Sequence, residues 1–223
     1  MVMKIGLITI GQSPRGDILP DMMMIMGHGY EVVEAGALDD YTLEEIRGLE
    51  IGPDDYLLVT RMRDGTEVRI TEEFVVPLLQ QRISDLEGEG VGVILLLCTG
   101  RFPEFRSKAL IVMPSEIVKG AVNAALRRGR LGVVYPARGQ TANAEEEWGH
   151  EGLEVYADAA SPYGPEEEIG ELAGRLAGQD LDLILLNCMG FGHGMRQLIR
   201  ERTGKPVIQA NALVARCLKE LAS

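Results

Sequence analysis

Two stretches of the chain constrain its fold more than anything else in it. Leu181-Asp-Leu-Ile-Leu-Leu-Asn-Cys-Met-Gly-Phe-Gly192 is a run of Leu and Ile, broken only by Asp182, that closes on Asn187-Cys188 and a Gly-x-Gly turn. The run is too short for a typical helix, and its apolar continuity up to a glycine stop reads as a strand buried on both faces. Ninety residues earlier, Val91-Gly-Val-Ile-Leu-Leu-Leu-Cys-Thr-Gly100 does the same. Each strand ends in a cysteine at the same relative place. In open α/β sheets the C-terminal edge of the strands is where ligands bind.

The surroundings repeat as well. Lys4–Ile10 is a strand leading into the loop Gly11-Gln-Ser-Pro-Arg-Gly16, and Leu131–Tyr135 is a strand leading into the polar loop 136–140. After each Cys strand come a connection, a strand and a helix: Ala109–Met113 with a helix from Ser115, and Pro206–Gln209 with a helix from Asn211 to Ala222. A duplication of βα units predicts an α/β fold of two pseudo-symmetric lobes, each a mainly parallel sheet flanked by helices. The two C-terminal helices are expected to be exchanged, giving a first lobe of 1–112 plus 208–223 and a second of 113–207. Asp17–Met26 reads as a helix stopped by Gly27, with Met22-Met-Met as core filling. Thr42 and Thr71 read as helix caps, and Asp64-Gly65 as the turn of a hairpin.

Composition removes several classes of function. A net charge of -12 argues against nucleic acid, whose binding needs a basic face. No apolar run reaches the ~18 residues of a membrane span. The N-terminus leads directly into a strand, so no signal peptide is expected. Three cysteines without C-x-x-C spacing give neither a disulfide framework nor a zinc signature, and fit free thiols in the cytoplasm. The glycines at 190, 192 and 194 miss the dinucleotide pattern because position 195 is Met. The Gly11 loop misses the G-x-S-x-G elbow because position 15 is Arg. No cofactor and no metal are expected; a homodimer is left open.

Two opposed thiols suit one kind of chemistry: removing a proton from one face of a carbon and returning it to the other. A cysteine pKa, near 8.5 unperturbed, falls at a helix N-terminus, so one residue can be thiolate and the other thiol. Cys188, directly ahead of the glycine turn, is the expected thiolate. The carbanion that forms beside a carboxylate needs preorganised donors. Thr99-Gly100, Met189-Gly190 and Gly11-Gln12-Ser13 are the candidates, with Ser13 also able to cap the next helix. Arg15 lies in the same loop. Arg61 and Arg63, at the hairpin, either fork onto a carboxylate or simply face water. His193 is either a donor in the cleft or a solvated helix start. Cys217, on a helix at core spacing, is read as structural.

Ile10-Gly-Gln-Ser-Pro-Arg15, the segment Leu57-Leu-Val-Thr-Arg-Met-Arg-Asp-Gly-Thr66 and the Leu-Cys-Thr-Gly and Asn-Cys-Met-Gly strand ends resemble the AroM family. The resemblance spans essentially the whole chain and leads on to the aspartate/glutamate/hydantoin racemase superfamily. It implies a two-lobed α/β fold with one cysteine from each lobe. It also puts Cys98 and Cys188 at the two acid/base positions and Gly11-Gln12-Ser13 at the carboxylate cradle. Where racemases of that superfamily usually carry Cys-Asn-Thr, this chain has Cys98-Thr99-Gly100; where they carry Gly-Cys-Thr or Gly-Cys-Ala, it has Asn187-Cys188-Met189. The expected activity is cofactor-independent racemisation or isomerisation of a small carboxylate-bearing molecule, at a carbon next to the carboxylate. Gly11, Gln12, Ser13, Arg15, Arg61, Thr99, Gly100, Met189, Gly190 and His193 are the expected substrate-binding residues. The alternatives are a non-catalytic small-anion-binding or accessory protein on the same fold, or a one-cysteine decarboxylase.

Overall fold

A computed structural model describes residues 3–52 and 55–222. The first half runs β1 (Met3–Thr9), α1 (Leu19–Met26), β2 (Tyr30–Gly36), α2 (Leu43–Arg47), the hairpin β3 (Leu57–Arg61) and β4 (Glu67–Thr71), then α3 (Glu72–Gly88), β5 (Val93–Leu96), β6 (Leu110–Val112) and α4 (Pro114–Ala125). The second half runs β7 (Gly129–Tyr135), a 3-10 turn (Arg138–Asn143), α5 (Ala144–Trp148), β8 (Leu153–Ala159), α6 (Glu166–Ala177), β9 (Leu183–Leu186), α7 (His193–Thr203), β10 (Val207–Gln209) and α8 (Ala210–Leu221). The strands form two four-stranded parallel sheets, ordered β2-β1-β5-β6 and β8-β7-β9-β10. The two sheets are the same arrangement built twice, which is the two-lobed α/β fold that the duplicated strands imply.

Local chemistry accounts for the starts of α2 and α3 and for the hairpin turn. Thr42 and Glu45 form a reciprocal capping box at α2, and the Thr71 hydroxyl accepts the Phe74 N–H at 3.2 Å to open α3. Gly65 turns the hairpin with φ 95°, a conformation that favours glycine. The start of α1 differs from expectation. It begins at Leu19 with Pro20 in its first turn, and no side chain caps it. Ser13 does not serve, because its N–H and O–H both donate to the Asp39 carboxylate, each at 2.7 Å. A carboxylate is the stronger acceptor, and it holds the loop against the end of β2.

Side-chain alternation along the strands sorts the core. Ile5 and Leu7, Leu95, Leu131 and Val133, and Leu183 and Leu185 share one cluster with residues of α1, α4 and α8. Their neighbours Ile8, Ile94 and Leu96 pack instead with α3 and the hairpin, and Val134, Ile184 and Leu186 with α6 and α7. The sheets are therefore buried on both faces, which is why β5 and β9 read as unbroken apolar runs. Each fully buried Leu, Ile or Val contributes about 1.5–3 kcal/mol relative to exposure. Of Met22-Met-Met, Met22 fills the central cluster, with Met26 one turn on, but Met24 points to solvent and is 72% exposed. α8 lies against α1: Val214, Ala215 and Leu218 join the same cluster, and Lys219 Nζ donates to the Ile25 carbonyl at 3.1 Å.

The two halves diverge after their Cys strands. β9 leads into α7, which starts after Gly192 and ends on left-handed Gly204 (φ 67°). β5 leads into an irregular segment from 97 to 109. Gln80 and Glu87 of α3 hold it, through the Arg106 backbone and through Ser107, Lys108 and Ala109. The hairpin ties the lobes together from one side: Gln140 Nε2 donates to the Leu57 carbonyl at 3.1 Å, and Ser161 Oγ donates to Glu67. No helix is long and apolar enough to cross a membrane among the described residues.

Candidate functional site

The last ladder hydrogen bonds of the two Cys strands are equivalent. Leu97 N donates to Ile8 O at 2.7 Å and Asn187 N to Val134 O at 2.9 Å. The next residue in each case is the cysteine, and two residues on a glycine N–H turns back to its sulfur: Gly100 to Cys98 at 3.3 Å, Gly190 to Cys188 at 3.4 Å. Thr99 Oγ donates across the lobes to the Asn187 carbonyl at 3.0 Å, joining one turn to the other. Both cysteines line a single cavity of about 640 Å³, together with residues 55–59 at the start of the hairpin, Thr99–Arg101, the segment from Tyr135 to Glu147, and Asn187. A neighbouring recess of similar size, lined by Phe102 to Glu116, contains neither thiol.

A buried cation serves both cysteines. The Arg15 side chain is 3% exposed and donates to both oxygens of Asp17 (2.9 and 2.7 Å), to Thr9 Oγ (2.8 Å) and to the Tyr163 hydroxyl (3.0 Å). Burial costs the guanidinium its hydration, but Asp17 and Tyr163 more than offset this and hold it charged. Asp17 in turn is kept below the usual carboxylate range: burial opposes its ionisation, and the Arg15 bond and charge outweigh that. Tyr163 comes from the loop after β8, in the other lobe. Its hydroxyl fills the space beside Gly190, where an added Cβ would stand 2.6 Å from it. A larger residue there would have to displace the tyrosine ring.

Both cysteines reach the cavity wall, yet protein encloses each sulfur closely enough for burial to dominate. Burial pushes the Cys98 thiol up to about 12; the Gly100 N–H and the Arg15 charge oppose this, and a charge on Cys188 adds to it. Cys188 is also pushed up by burial, against the Gly190 N–H, the Arg15 charge and the Tyr163 O–H. The thiolate of Cys188 thus has one stabilising partner that Cys98 lacks, the Tyr163 O–H, and one opposing charge that Cys98 lacks, Asp17. The Gly190 N–H belongs to the glycine turn from which a Cys188 thiolate is expected.

The residues singled out from sequence separate into groups. Cys98, Thr99, Gly100 and Cys188 stand together at the cavity, and Gly190 carries the N–H that meets Cys188. Arg15 is beside them, but committed to Asp17. Gln12 spans the scaffold: its Nε2 donates to the Leu38 and Tyr41 carbonyls at 3.0 and 2.9 Å, and its Oε1 accepts the Arg63 N–H at 2.8 Å. Gly11 packs against β3, where a Cβ would meet Thr60 Oγ at 2.3 Å. With Ser13 on Asp39, the Gly11-Gln12-Ser13 loop holds the hairpin and does not line the cavity. Arg61 lies 3.7 Å from Asp17 and 5.8 Å over the Tyr163 ring, and Arg63 pairs with Asp39 at 3.2 Å. Met189 is buried in the central core, 1% exposed. His193 is exposed at the start of α7, its N–H on Asp21 at 2.7 Å, and faces a separate recess. Cys217 does not line the cavity.

Sequence reasoning missed Tyr163, Tyr56, Arg101, Glu147 and Asn187. A tyrosine between Pro162 and Gly164, directly after a strand at the ligand-binding edge, was a usable signal in a chain with only 5% aromatic residues. Glu147 sat in an acidic run that reads as a solvated helix start. Among the described residues no group of three His, Cys, Asp or Glu side chains could hold a metal ion.

The fold matches that of several enzymes of known structure. Maleate isomerase Iso from Pseudomonas putida S16 aligns with a TM-score of 0.64 at 13% identity, covering 99% of this chain and 93% of that one. Arylmalonate decarboxylase aligns at 0.62 and 16% identity, covering 99% and 92%. Glutamate racemase from Francisella tularensis subsp. tularensis SCHU S4, in complex with D-glutamate, aligns at 0.59 and 13% identity, covering 99% and 81%. At these identities the likeness concerns the fold, which is that of the racemase superfamily. Comparison with curated proteins finds no match. The family model described as AroM protein matches residues 5–222, nearly the whole sequence, and the chain belongs to the AroM family.

Proposed function

We propose that this protein is a cofactor-independent racemase or isomerase that uses Cys98 and Cys188 as opposed acid and base at a carbon next to a carboxylate of a small acid. One observation carries the reading: the equivalent cysteines of the duplicated strands, each met by a glycine N–H, open onto one cavity. The Cys188 thiolate takes the proton from one face of the carbon and the Cys98 thiol supplies a proton to the other. No electron leaves the system, and the two thiols finish with their roles exchanged. The Arg15 charge, near both sulfurs, favours whichever thiolate is present. The negative charge passing to the substrate is met by N–H groups of the two turns. The site is assembled from both lobes, which we take as 1–112 plus 208–223 and 113–207. α8 lying on α1 supports that exchange, while the pairing of β10 with β9 runs on to Gln209. Free thiols in all three cysteines fit a reducing, cytoplasmic setting.

The test is solvent deuterium exchange across a panel of small chiral acids. The wild type incorporates deuterium beside the carboxylate and interconverts the two faces. Cys98→Ser and Cys188→Ser each abolish the interconversion, and one of them retains one-sided exchange. A Cys188→Ser variant that interconverts the faces as fast as wild type refutes the two-thiol mechanism. The upward push on both thiols favours the second reading, a non-catalytic protein that binds a small acid in the same cavity. Binding without exchange on any acid of the panel selects it.

A further inference from the structure

The charges around the cavity are not all alike. The arginines nearest the first-lobe loop are matched by carboxylates: Arg15 by Asp17, Arg61 again by Asp17, and Arg63 by Asp39. Arg101 is different. It lines the cavity next to Thr99 and Gly100, stacks over the Tyr56 ring at 5.5 Å, and has no carboxylate partner among the described residues. The same cavity is lined by Glu147, which likewise pairs with no cation among the described residues. Its Oε2 accepts the Tyr135 O–H at 2.7 Å, and the Tyr135 oxygen accepts the Trp148 N–H at 3.1 Å. Tyr135 and Trp148 are both buried, so this chain fixes the carboxylate in place and leaves its other oxygen free of protein donors. Gln140, on the same wall, donates through Nε2 to Leu57, and its Oε1 is a buried acceptor without a donor.

We propose that the substrate is an amino monocarboxylate, a small acid that also carries a cationic nitrogen, with its carboxylate on Arg101 and its ammonium group on Glu147. The proposal deepens the acid/base reading and rests on it for the position of the reacting carbon. Among the described residues the wall carries one unmatched cation, Arg101, and two carboxylates without a cation partner, Glu147 and Asp55, a balance that suits an acid carrying an ammonium group better than a diacid. A dicarboxylate finds only one free cation there, and its second charge meets Glu147, Asp55 and a chain whose net charge is -12. The acceptors at Glu147 and Gln140 ask for N–H donors in the ligand, not for more oxygens.

Protection of the cavity thiols from iodoacetamide measures binding without turnover. The probes are D- and L-alanine and D- and L-lysine on one side, malonate and maleate on the other, against wild type and Glu147→Gln. The glutamine keeps an acceptor for Tyr135, so the variant tests charge and not folding. The amino monocarboxylates are expected to protect wild type, with about tenfold or greater weakening in Glu147→Gln. The diacids should protect less, and improve relative to them in the variant. The proposal is overturned if malonate or maleate protects better in wild type, if no amino monocarboxylate protects, or if Glu147→Gln changes nothing. Deuterium exchange run in parallel separates the two ideas: protection by an amino acid without exchange removes the acid/base reading alone, and exchange on a diacid removes this inference alone.

Discussion

Tyr163→Phe isolates the stabilising partner that Cys188 has and Cys98 lacks. The substitution removes a single oxygen, which in the native protein accepts an Arg15 N–H at 3.0 Å and presents its own proton toward Cys188. Arg15 retains both Asp17 oxygens and Thr9, so the cation stays in place. A hydrogen bond to a charged group is worth about 1.5–3 kcal/mol. Losing it lifts the Cys188 thiol further. At about 1.4 kcal/mol per factor of ten, alkylation near neutral pH slows by about 10–100-fold. The assay is the pH–rate profile of iodoacetamide labelling, read separately for each cysteine by mass spectrometry. In wild type Cys188 labels before Cys98. In the variant its profile moves to higher pH and that of Cys98 stays. An unchanged Cys188 profile refutes the reasoning. So does a parallel shift of both thiols, which reports a loosened cavity and not a lost donor.

Three other perturbations test the same geometry. Gly190→Ala puts a Cβ 2.6 Å from the Tyr163 hydroxyl, so it should displace the ring, shift the Cys188 profile in the same direction as Tyr163→Phe, and lower the melting temperature as well. Ser13→Ala removes one bond to the Asp39 carboxylate and should lower stability by about 1.5–3 kcal/mol in urea titrations while leaving both thiol profiles alone, as befits a scaffold residue. Cys98 makes the fold alkali-sensitive: its folded pKa, about 12, lies above the unfolded one, so between them the native state holds a proton that the unfolded chain has released. Stability should therefore fall as pH rises through that window, and Cys98→Ala should flatten the fall in urea midpoints measured from mildly to strongly alkaline pH.

The backbone plan was legible because it rests on short-range rules. β5 and β9 are apolar without a break since both of their faces are covered, and the hairpin and the α2 and α3 caps need only neighbouring residues. The site was legible only where a residue is carried by those strands. Cys98 and Cys188 sit one position past equivalent ladder bonds, so their convergence follows from the duplication. Residues in the loops depend on partners far away in sequence. Ser13 and Gln12 look like an anion cradle until Asp39, Leu38, Tyr41 and Arg63 take up their hydrogen bonds. Met189 matches Thr99 in position, yet one turns into the central core and the other bonds across to Asn187. The pairing of Arg15 with Tyr163 joins loops of opposite lobes, and no local pattern announces it.

The duplication builds two equivalent thiols, and the departures from it make them unequal. One buried cation lies near both sulfurs, and a charge on Cys188 raises Cys98, so the pair titrates as a unit with room for one thiolate. Tyr163, present on one side only, favours Cys188 over Cys98 as the thiol that ionises first. A two-sided proton transfer needs this: the free enzyme must already hold one base and one acid. The inequality also has a limit set by thermodynamics. If the reaction is racemisation, its equilibrium constant is one, so kcat/KM for the two enantiomers must be equal at every pH whatever the thiols do. The preference for Cys188 can then appear only within kcat and KM taken separately. The enantiomer whose proton faces Cys188 meets the favoured form of the enzyme directly, and its antipode needs the proton moved first. Tyr163→Phe should bring the two kcat values closer together while their kcat/KM values stay matched. Separate kcat values that are already equal in wild type across the pH range would show that the asymmetry seen in the resting site does not reach the reaction.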